Sequence, residues 1–283
     1  ILVARDGTVS GPYVVVANKY LMSNDDIAYP EDKTGIKYSD IVYVPYSRAL
    51  KDKTLIAIGK KFLNDHVRDA FFELAQAGVM SKAFPGKLVT ETMTQAFVKN
   101  IFLTEQTDPQ MMNESNDGGL EQAERVLIRL GTNGEKAFRY TVSKTGASGL
   151  GQIMPKTYAS MYRSFSSAQL IKNVDVGRVD VKNGVKATTL VLDDHLVGVK
   201  NRAYGNGKSS RQRFDALTPD KLEEARGMAY NGGPGKYHTS TGGLNMKKKG
   251  AKETAGFIQK LRMIRELGLF DQYAEVEVQA VQQ

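Results

Sequence analysis

Two hydrophobic patterns follow one another along this chain. Over residues 1–46, apolar side chains come in short β-type runs at 13–16 and 41–44, separated by the polar stretch 23–35. From about Ile58 onward, apolar residues recur at the three- and four-residue spacings of amphipathic helices. The chain is therefore predicted to be α+β, with a small strand-containing start and a mainly helical remainder.

The helical periodicity is interrupted by clear turn signals. Predicted helices cover residues 58–77, 91–106, 120–130, 155–163, 183–196, 219–230 and 253–267. The Phe-Pro-Gly segment at 84–86 marks a turn, so we predict an accessory region of mixed α/β character over residues 1–86 and a second domain over 87–283. Two tracts rich in Gly, Asn, Ser and Lys, at 198–213 and 239–250, are predicted to be mobile loops.

Composition narrows the class of protein. The chain has 283 residues, 41% hydrophobic and 25% charged, which is typical of a soluble globular protein, and it contains no apolar run that predicts an integral membrane segment. With no cysteine it has no disulfide, thiol nucleophile or Cys-ligated metal. The three histidines are too scattered to predict a metal site, and no cofactor is expected. The net charge of +8 indicates an anionic partner without choosing one.

Two glycine-rich motifs carry the strongest functional signal. The first, SKTGASGLGQIMPKTY, covers residues 143–158, and its glycines allow close approach of the backbone to a ligand beside the amide of Gln152. The second, AYNGGPGKY, covers residues 229–237 and presents Tyr230 and Asn231 just before a glycine-proline turn. Together they predict a polar binding cleft and do not match a nucleotide-binding loop.

These motifs resemble those of the soluble lytic transglycosylases, a family related in fold to goose-type lysozyme that cleaves the glycan strands of peptidoglycan. The family pattern has three parts, and the third is represented here by ETAGFIQK at residues 253–260. The first part is matched at Ser143, Gly146, Ala147, Gly149, Leu150, Gln152, Met154 and Pro155, and the second at residues 229–235. The resemblance covers roughly residues 90–267 and implies a lysozyme-like catalytic domain.

The resemblance also implies a single catalytic glutamate at the end of an apolar helix, and two residues compete for the role. Glu105 ends a helical stripe that includes Phe97 and Ile101, an arrangement that should desolvate the carboxyl group and raise its pKa. Glu135 lies closer to the glycine motif. Gly131 and its neighbours should break the preceding helix, however, and Asn133 should cap a first turn in which an acid is common. Glu105 is preferred, and Glu135 stays an open alternative.

In the family, one glutamate protonates the bond between N-acetylmuramic acid and N-acetylglucosamine and then deprotonates the muramyl 6-hydroxyl, which closes a 1,6-anhydro ring. This implies peptidoglycan glycan strands as partner, no nucleic acid, and action in the cell envelope, periplasmic or exported, with any leader absent from this chain. The resemblance implies that six residues bind the substrate: Ser143, Gln152, Met154, Tyr230, Asn231 and Phe257. The N-terminal region could bind an envelope protein, although packing against the catalytic domain is the favoured role.

Two departures from the family pattern keep alternatives open. Gly151 replaces the usual methionine, and Phe257 stands where the third motif usually has tyrosine. No second carboxylate stands out at a fixed spacing, whereas hydrolytic glycosidases usually need a pair. A lysozyme-like peptidoglycan hydrolase and a noncatalytic peptidoglycan-binding protein therefore remain alternatives to the transglycosylase.

Overall fold

The computed structural model describes Leu2–Arg5, Tyr13–Lys19 and residues 42–271. Three strands form an antiparallel sheet in the order β1 (Leu2–Arg5), β2 (Tyr13–Lys19) and β3 (Val42–Tyr43). A second, two-stranded hairpin pairs β4 (Tyr237–His238) with β5 (Gly243–Leu244). The β-type run at 13–16 is thus confirmed as part of β2, and the run at 41–44 forms a strand at Val42–Tyr43, while Ile41 and the polar stretch 23–35 lie outside the described residues.

Helices make up most of the described chain, which confirms the mainly helical α+β prediction at this coarse level. They are α1 (Lys53–Gln76), α2 (Gln95–Gln106), α3 (Pro109–Asn113), α4 (Leu120–Asn133), α5 (Pro155–Ser164), α6 (Val174–Val179), α7 (Val181–Gly205), α8 (Lys208–Asp215), α9 (Pro219–Gly232) and α10 (Ala251–Glu266). Side-chain caps start several of them: the oxygens of Asp52, Thr94 and Thr218 accept backbone N–H groups in the first turns of α1, α2 and α9.

The centre of the fold is α7. Every residue from 183 to 193 is buried, because α1, α2, α5, α6, α8 and α9 all pack around this helix. Leu63 and Val67 of α1 belong to the same hydrophobic cluster as Ile101 of α2 and Leu190 of α7. The helix that precedes residue 86 therefore shares its core with the helices that follow it; the division into 1–86 and 87–283 stays a prediction.

The predicted mobile loop at 198–213 is wrong. Helix α7 continues to Gly205 and α8 begins at Lys208, so the only break is a turn at Asn206 and Gly207, where Gly207 has a φ of +93°. Val199 and Ala203 are fully buried and extend the apolar stripe of α7. Burial of this stripe outweighs the weak helix propensity of the Gly and Asn residues around it.

The helix before Glu135 breaks as expected, but at Gly134 rather than at Gly131: α4 passes through Gly131 and ends at Asn133, and Gly134 has a φ of +52°. Gly131 and Gly59 lie where α4 and α1 meet, and a Cβ atom at either position would collide with a carbonyl oxygen of the other helix. The two glycines therefore allow a close helix–helix contact. Asn133 does not cap the next turn; its side chain instead exchanges hydrogen bonds of 2.7 and 2.9 Å with the backbone of Val44.

None of the helices within the described residues is both long enough and apolar enough to cross a membrane.

Candidate active site

A cavity of about 280 Å³ opens where the end of α2, the loop 143–154, the middle of α7, the end of α9 and the start of α10 come together. We call it the Glu105 cavity, and we call residues 143–154 the glycine loop. Six of the residues singled out in the sequence line it: Glu105, Ser143, Gln152, Met154, Tyr230 and Asn231. The structure thus brings together residues that are up to 126 positions apart in the chain.

Glu105 lies in the last turn of α2, directly after a buried apolar stripe. Phe97 and Ile101, which precede it at four-residue spacing, are almost completely buried. The half-buried carboxyl group lines the cavity and accepts no hydrogen bond from the residues that the structure describes. Burial raises its pKa to about 8; the nearby charge of Lys260 opposes this rise, and Glu253 adds to it. Glu105 is therefore a carboxylic acid that holds its proton at neutral pH.

The glycine loop forms a tight double turn beside Glu105. The Ser143 hydroxyl accepts a hydrogen bond from the Ala147 N–H at 3.0 Å, and Gly146 allows this turn with a φ of +89°. Gln152 is also left-handed, with a φ of +48°, and its side-chain amide donates to the Gly149 carbonyl at 2.8 Å. The side chain of Gln152 thus fastens the loop that presents it to the cavity.

Two residues that sequence reasoning missed hold this loop in place. Arg178 of α6, which is 4% exposed, donates to the carbonyl oxygens of Gly146 and Ile153 at 2.8 and 3.2 Å. Gln106, the residue after the candidate acid, donates to the Leu150 carbonyl at 2.8 Å. No motif marks Arg178 or Gln106, because both act on backbone atoms that only the folded chain brings close.

Gly151, where the family has methionine, is required by its surroundings. A Cβ atom here would collide with the Thr188 hydroxyl and lie only 3.2 Å from the Tyr230 hydroxyl. The Tyr230 hydroxyl donates a hydrogen bond to the Gly151 carbonyl oxygen. In this chain, Thr188 and Tyr230 leave no room for a side chain at residue 151.

The end of α9 supplies the opposite wall of the cavity. Burial raises the pKa of Tyr230 well above its usual value, and the neighbouring Glu105 carboxyl raises it further, so the hydroxyl stays protonated. The Asn231 side-chain oxygen accepts a hydrogen bond of 2.9 Å from Thr254 of α10, which fixes the amide. Met154, across the cavity, is 38% exposed and offers an apolar surface to a ligand.

Two further ionisable groups line the cavity and were not predicted as site residues: His195 of α7 and Glu253 of α10. The His195 Nδ1–H donates to the Ala229 carbonyl oxygen at 2.9 Å, and burial lowers the pKa of the ring. His195 is therefore neutral at pH 7, with Nε2 free to act as an acceptor. Glu253 opens the third motif, so its position in the sequence was a usable signal.

Glu135 and Phe257 lie elsewhere. The Glu135 carboxylate is 54% exposed and bonds the His66 Nε2 of α1 at 2.6 Å. This hydrogen bond holds the pKa of Glu135 below its usual value, so Glu135 is ionised at neutral pH. Phe257 does not line the Glu105 cavity; it is buried in the core, where its ring packs against Gly227 of α9. The predicted direct contact between Phe257 and a substrate is not supported by this position.

Within residues 42–271, no group of three or more His, Asp or Glu side chains is arranged to hold a metal ion. Comparisons with protein-family models, with curated proteins and with solved structures found no match to this chain. The chemistry of the Glu105 cavity and the sequence motifs that line it are therefore what point to a function.

Proposed function

We propose that this protein cleaves the glycan strands of peptidoglycan as a lytic transglycosylase, with Glu105 as the catalytic acid and base. The observation that carries the proposal is the position of the Glu105 carboxyl, at the end of a buried apolar stripe, in a cavity lined by residues of both glycine-rich motifs; burial there raises its pKa. A glycosidic bond breaks when an acid protonates its bridging oxygen, and a carboxyl group does this at neutral pH only if its pKa is raised.

The proposed reaction needs one carboxyl group and no water. Glu105 gives its proton to the oxygen between N-acetylmuramic acid and N-acetylglucosamine, and the C1–O bond breaks with its electron pair on the leaving oxygen. The N-acetyl group of the substrate stabilises the cationic centre. The 6-hydroxyl oxygen then bonds to C1 while its proton passes to Glu105, which restores the enzyme and leaves a 1,6-anhydro end.

The other lining residues have proposed roles in binding. The amides of Gln152 and Asn231 and the hydroxyl of Ser143 offer hydrogen bonds to sugar hydroxyl and N-acetyl groups, and Met154 offers an apolar contact. On this proposal the protein acts in the cell envelope, where its net charge of +8 suits the acidic stem peptides and lactyl groups of peptidoglycan.

One observation favours a second candidate, a lysozyme-like hydrolase. Glu253 brings a second carboxyl group to the same cavity, and hydrolytic glycosidases commonly use two. In that reaction a water molecule, rather than the 6-hydroxyl, attacks C1 and leaves a reducing end.

Product analysis separates these functions. Purified sacculi are incubated with the protein and, in parallel, with Glu105→Gln prepared in the same way, and the soluble muropeptides are analysed by mass spectrometry. We expect 1,6-anhydro muropeptides, one water lighter than reducing ones, from the wild type alone. Reducing ends would establish the hydrolase. Binding to sacculi with no released fragment would show a noncatalytic binding protein.

A further inference from the structure

Lys260 of α10 is a buried cation with an unusual set of partners. Its side chain is 6% exposed, and its ammonium group donates to the carbonyl oxygens of Thr104 and Thr107, each at 2.6 Å. Thr104 immediately precedes Glu105, and both carbonyls belong to the end of α2, where helix carbonyls lack partners within the helix. Lys260 therefore caps the turn that carries the candidate acid.

The charge of Lys260 also acts on Glu105. The Lys260 cation opposes the rise in the pKa of Glu105, and the Glu105 carboxylate in turn opposes the fall that burial causes in the pKa of Lys260. The other charged or titratable groups around this pair come from α10, α9, α7 and the turn after α2: Glu253, Tyr230, His195 and Asp108. Among these groups, Lys260 is the cation that acts on Glu105.

We propose that Lys260 is a positioning residue for Glu105, which fixes the last turn of α2 and supplies the positive charge that the carboxylate needs once its proton has left. This inference rests on the proposed function, in which Glu105 is neutral before bond cleavage and anionic after it. A buried carboxylate without a nearby cation would recover a proton too readily from any donor and would give up its own too slowly. Lys260 thus stabilises Glu105 in its anionic state, after the proton has been transferred.

The matched variants are Lys260→Gln, which keeps an N–H donor near the two carbonyls but has no charge, and Lys260→Arg, which keeps the charge. The measurement is the titration of the Glu105 carboxyl by carbon NMR, assigned by its loss in Glu105→Gln. It needs no substrate, so it is independent of the proposed function. We expect the titration midpoint to rise by about one pH unit in Lys260→Gln, a tenfold change in proton affinity, and to return toward the wild-type value in Lys260→Arg.

If the titration midpoint of Glu105 is unchanged or lowered in folded Lys260→Gln, the proposal is overturned. Lys260 would then act only as a cap for the carbonyl groups at the end of α2. If Lys260→Gln does not fold, the reciprocal titration decides, because coupling between two sites is mutual. The Lys260 ammonium in the wild type is compared with that in Glu105→Gln, and its pKa should fall when the carboxylate is removed; an unchanged pKa would overturn the proposal. If peptidoglycan is cleaved, the basic limb of the pH–rate profile should follow the same shift. If no cleavage is detected but the NMR midpoint shifts as expected, the proposed function is refuted and the coupling between Lys260 and Glu105 stands.

Discussion

The surroundings of Glu105 and Glu135 differ in almost every physical respect. Glu105 ends a buried apolar stripe, faces a cavity and accepts no hydrogen bond from the described part of the chain. Glu135 is more than half exposed and bonds His66. The backbone N–H of Val181, at the first turn of α7, also helps to lower the pKa of the Glu135 carboxyl. The first setting favours a neutral acid, and the second favours an anion.

The difference shows that a residue close to a motif in sequence need not lie in the same site as that motif. Glu135 is only eight residues from Ser143, yet it lies outside the cavity that Ser143 lines. Glu105 lies 38 residues before Ser143, but the side chain of Gln106 donates a hydrogen bond to the glycine loop and so holds the end of α2 against it. Desolvation, and not distance along the chain, selects the candidate acid.

Activity measurements test the difference between Glu105 and Glu135 most directly. Glu105→Gln keeps the shape of the side chain but cannot transfer a proton, so we expect release of soluble fragments from sacculi to fall by about 10²- to 10⁴-fold. Glu135→Gln, the matched control, should retain nearly wild-type activity. Turbidity loss and muropeptide yield measure both. Loss of activity in Glu135→Gln with retention in Glu105→Gln would reverse the assignment.

Stability should respond to pH in opposite directions at the two sites. The pKa of Glu105 is raised from 4.5 to about 8, so its protonated form is the one that the folded state favours. Its contribution to the free energy of unfolding is fully present below pH 4.5 and is lost as pH rises toward 8, by at most about 1.4 kcal/mol per pH unit. We therefore expect Glu105→Gln to become progressively more stable than the wild type across this interval, and the difference to level off above it.

Urea unfolding at closely spaced pH values measures this trend. Glu135→Gln is the control, because any gain with rising pH there comes from the exposed pair with His66, stays below about 1 kcal/mol and is confined to the range in which His66 titrates. A Glu105→Gln variant whose stability parallels the wild type from pH 5 to pH 9 would show that Glu105 is not desolvated in the folded protein.

Much of the fold could be predicted from hydrophobic spacing. All seven predicted helices exist, and the stripe in α2 pointed to Glu105 because helical spacing alone puts Phe97, Ile101 and the carboxyl on one face. The main error came from interpreting glycine by its local propensity alone: the tract after Gly198 stays helical because Val199 and Ala203 are buried. The helix before Glu135 ends where the pattern 131–134 predicts, but it continues past Gly131 because the close contact between α4 and α1 requires a glycine there.

The cavity was predictable only in part, for a physical reason. Ser143, Gln152 and Tyr230 lie in recognisable motifs, so they could be named before the structure. Arg178 bonds backbone carbonyls of a distant loop, and a carbonyl oxygen carries no residue-type signal. The exclusion of a side chain at Gly151 likewise depends on where Thr188 and Tyr230 are placed, which is a property of the tertiary structure.

The smallest effect is expected at the pair of His66 and Glu135. Burial alone would lower the pKa of His66, but hydrogen bonds to Glu135 and to the Phe62 carbonyl raise it above 6.5. Its contribution to stability is therefore present below pH 6.5 and is lost as pH rises through the raised pKa of the folded state. The pKa of Glu135 is lowered from 4.5, so its contribution is present above pH 4.5 and is lost as pH falls through its lowered value. The pair stabilises the fold most between these limits.

His66→Gln tests this window, because glutamine can still donate to Glu135 but carries no charge. Since Glu135 is 54% exposed, water and salt screen the pair, and we expect a loss below about 1 kcal/mol near pH 5.5 that shrinks above pH 7. Thermal unfolding at low and high salt measures it, with Glu135→Gln as the partner variant and the double variant closing the cycle. A loss that is independent of pH and salt would mean that His66 acts through its contact with Phe62 rather than through charge. The charge of Glu135 would then contribute nothing to stability, and only the pKa of Glu105 would link a carboxyl group to the stability of the fold.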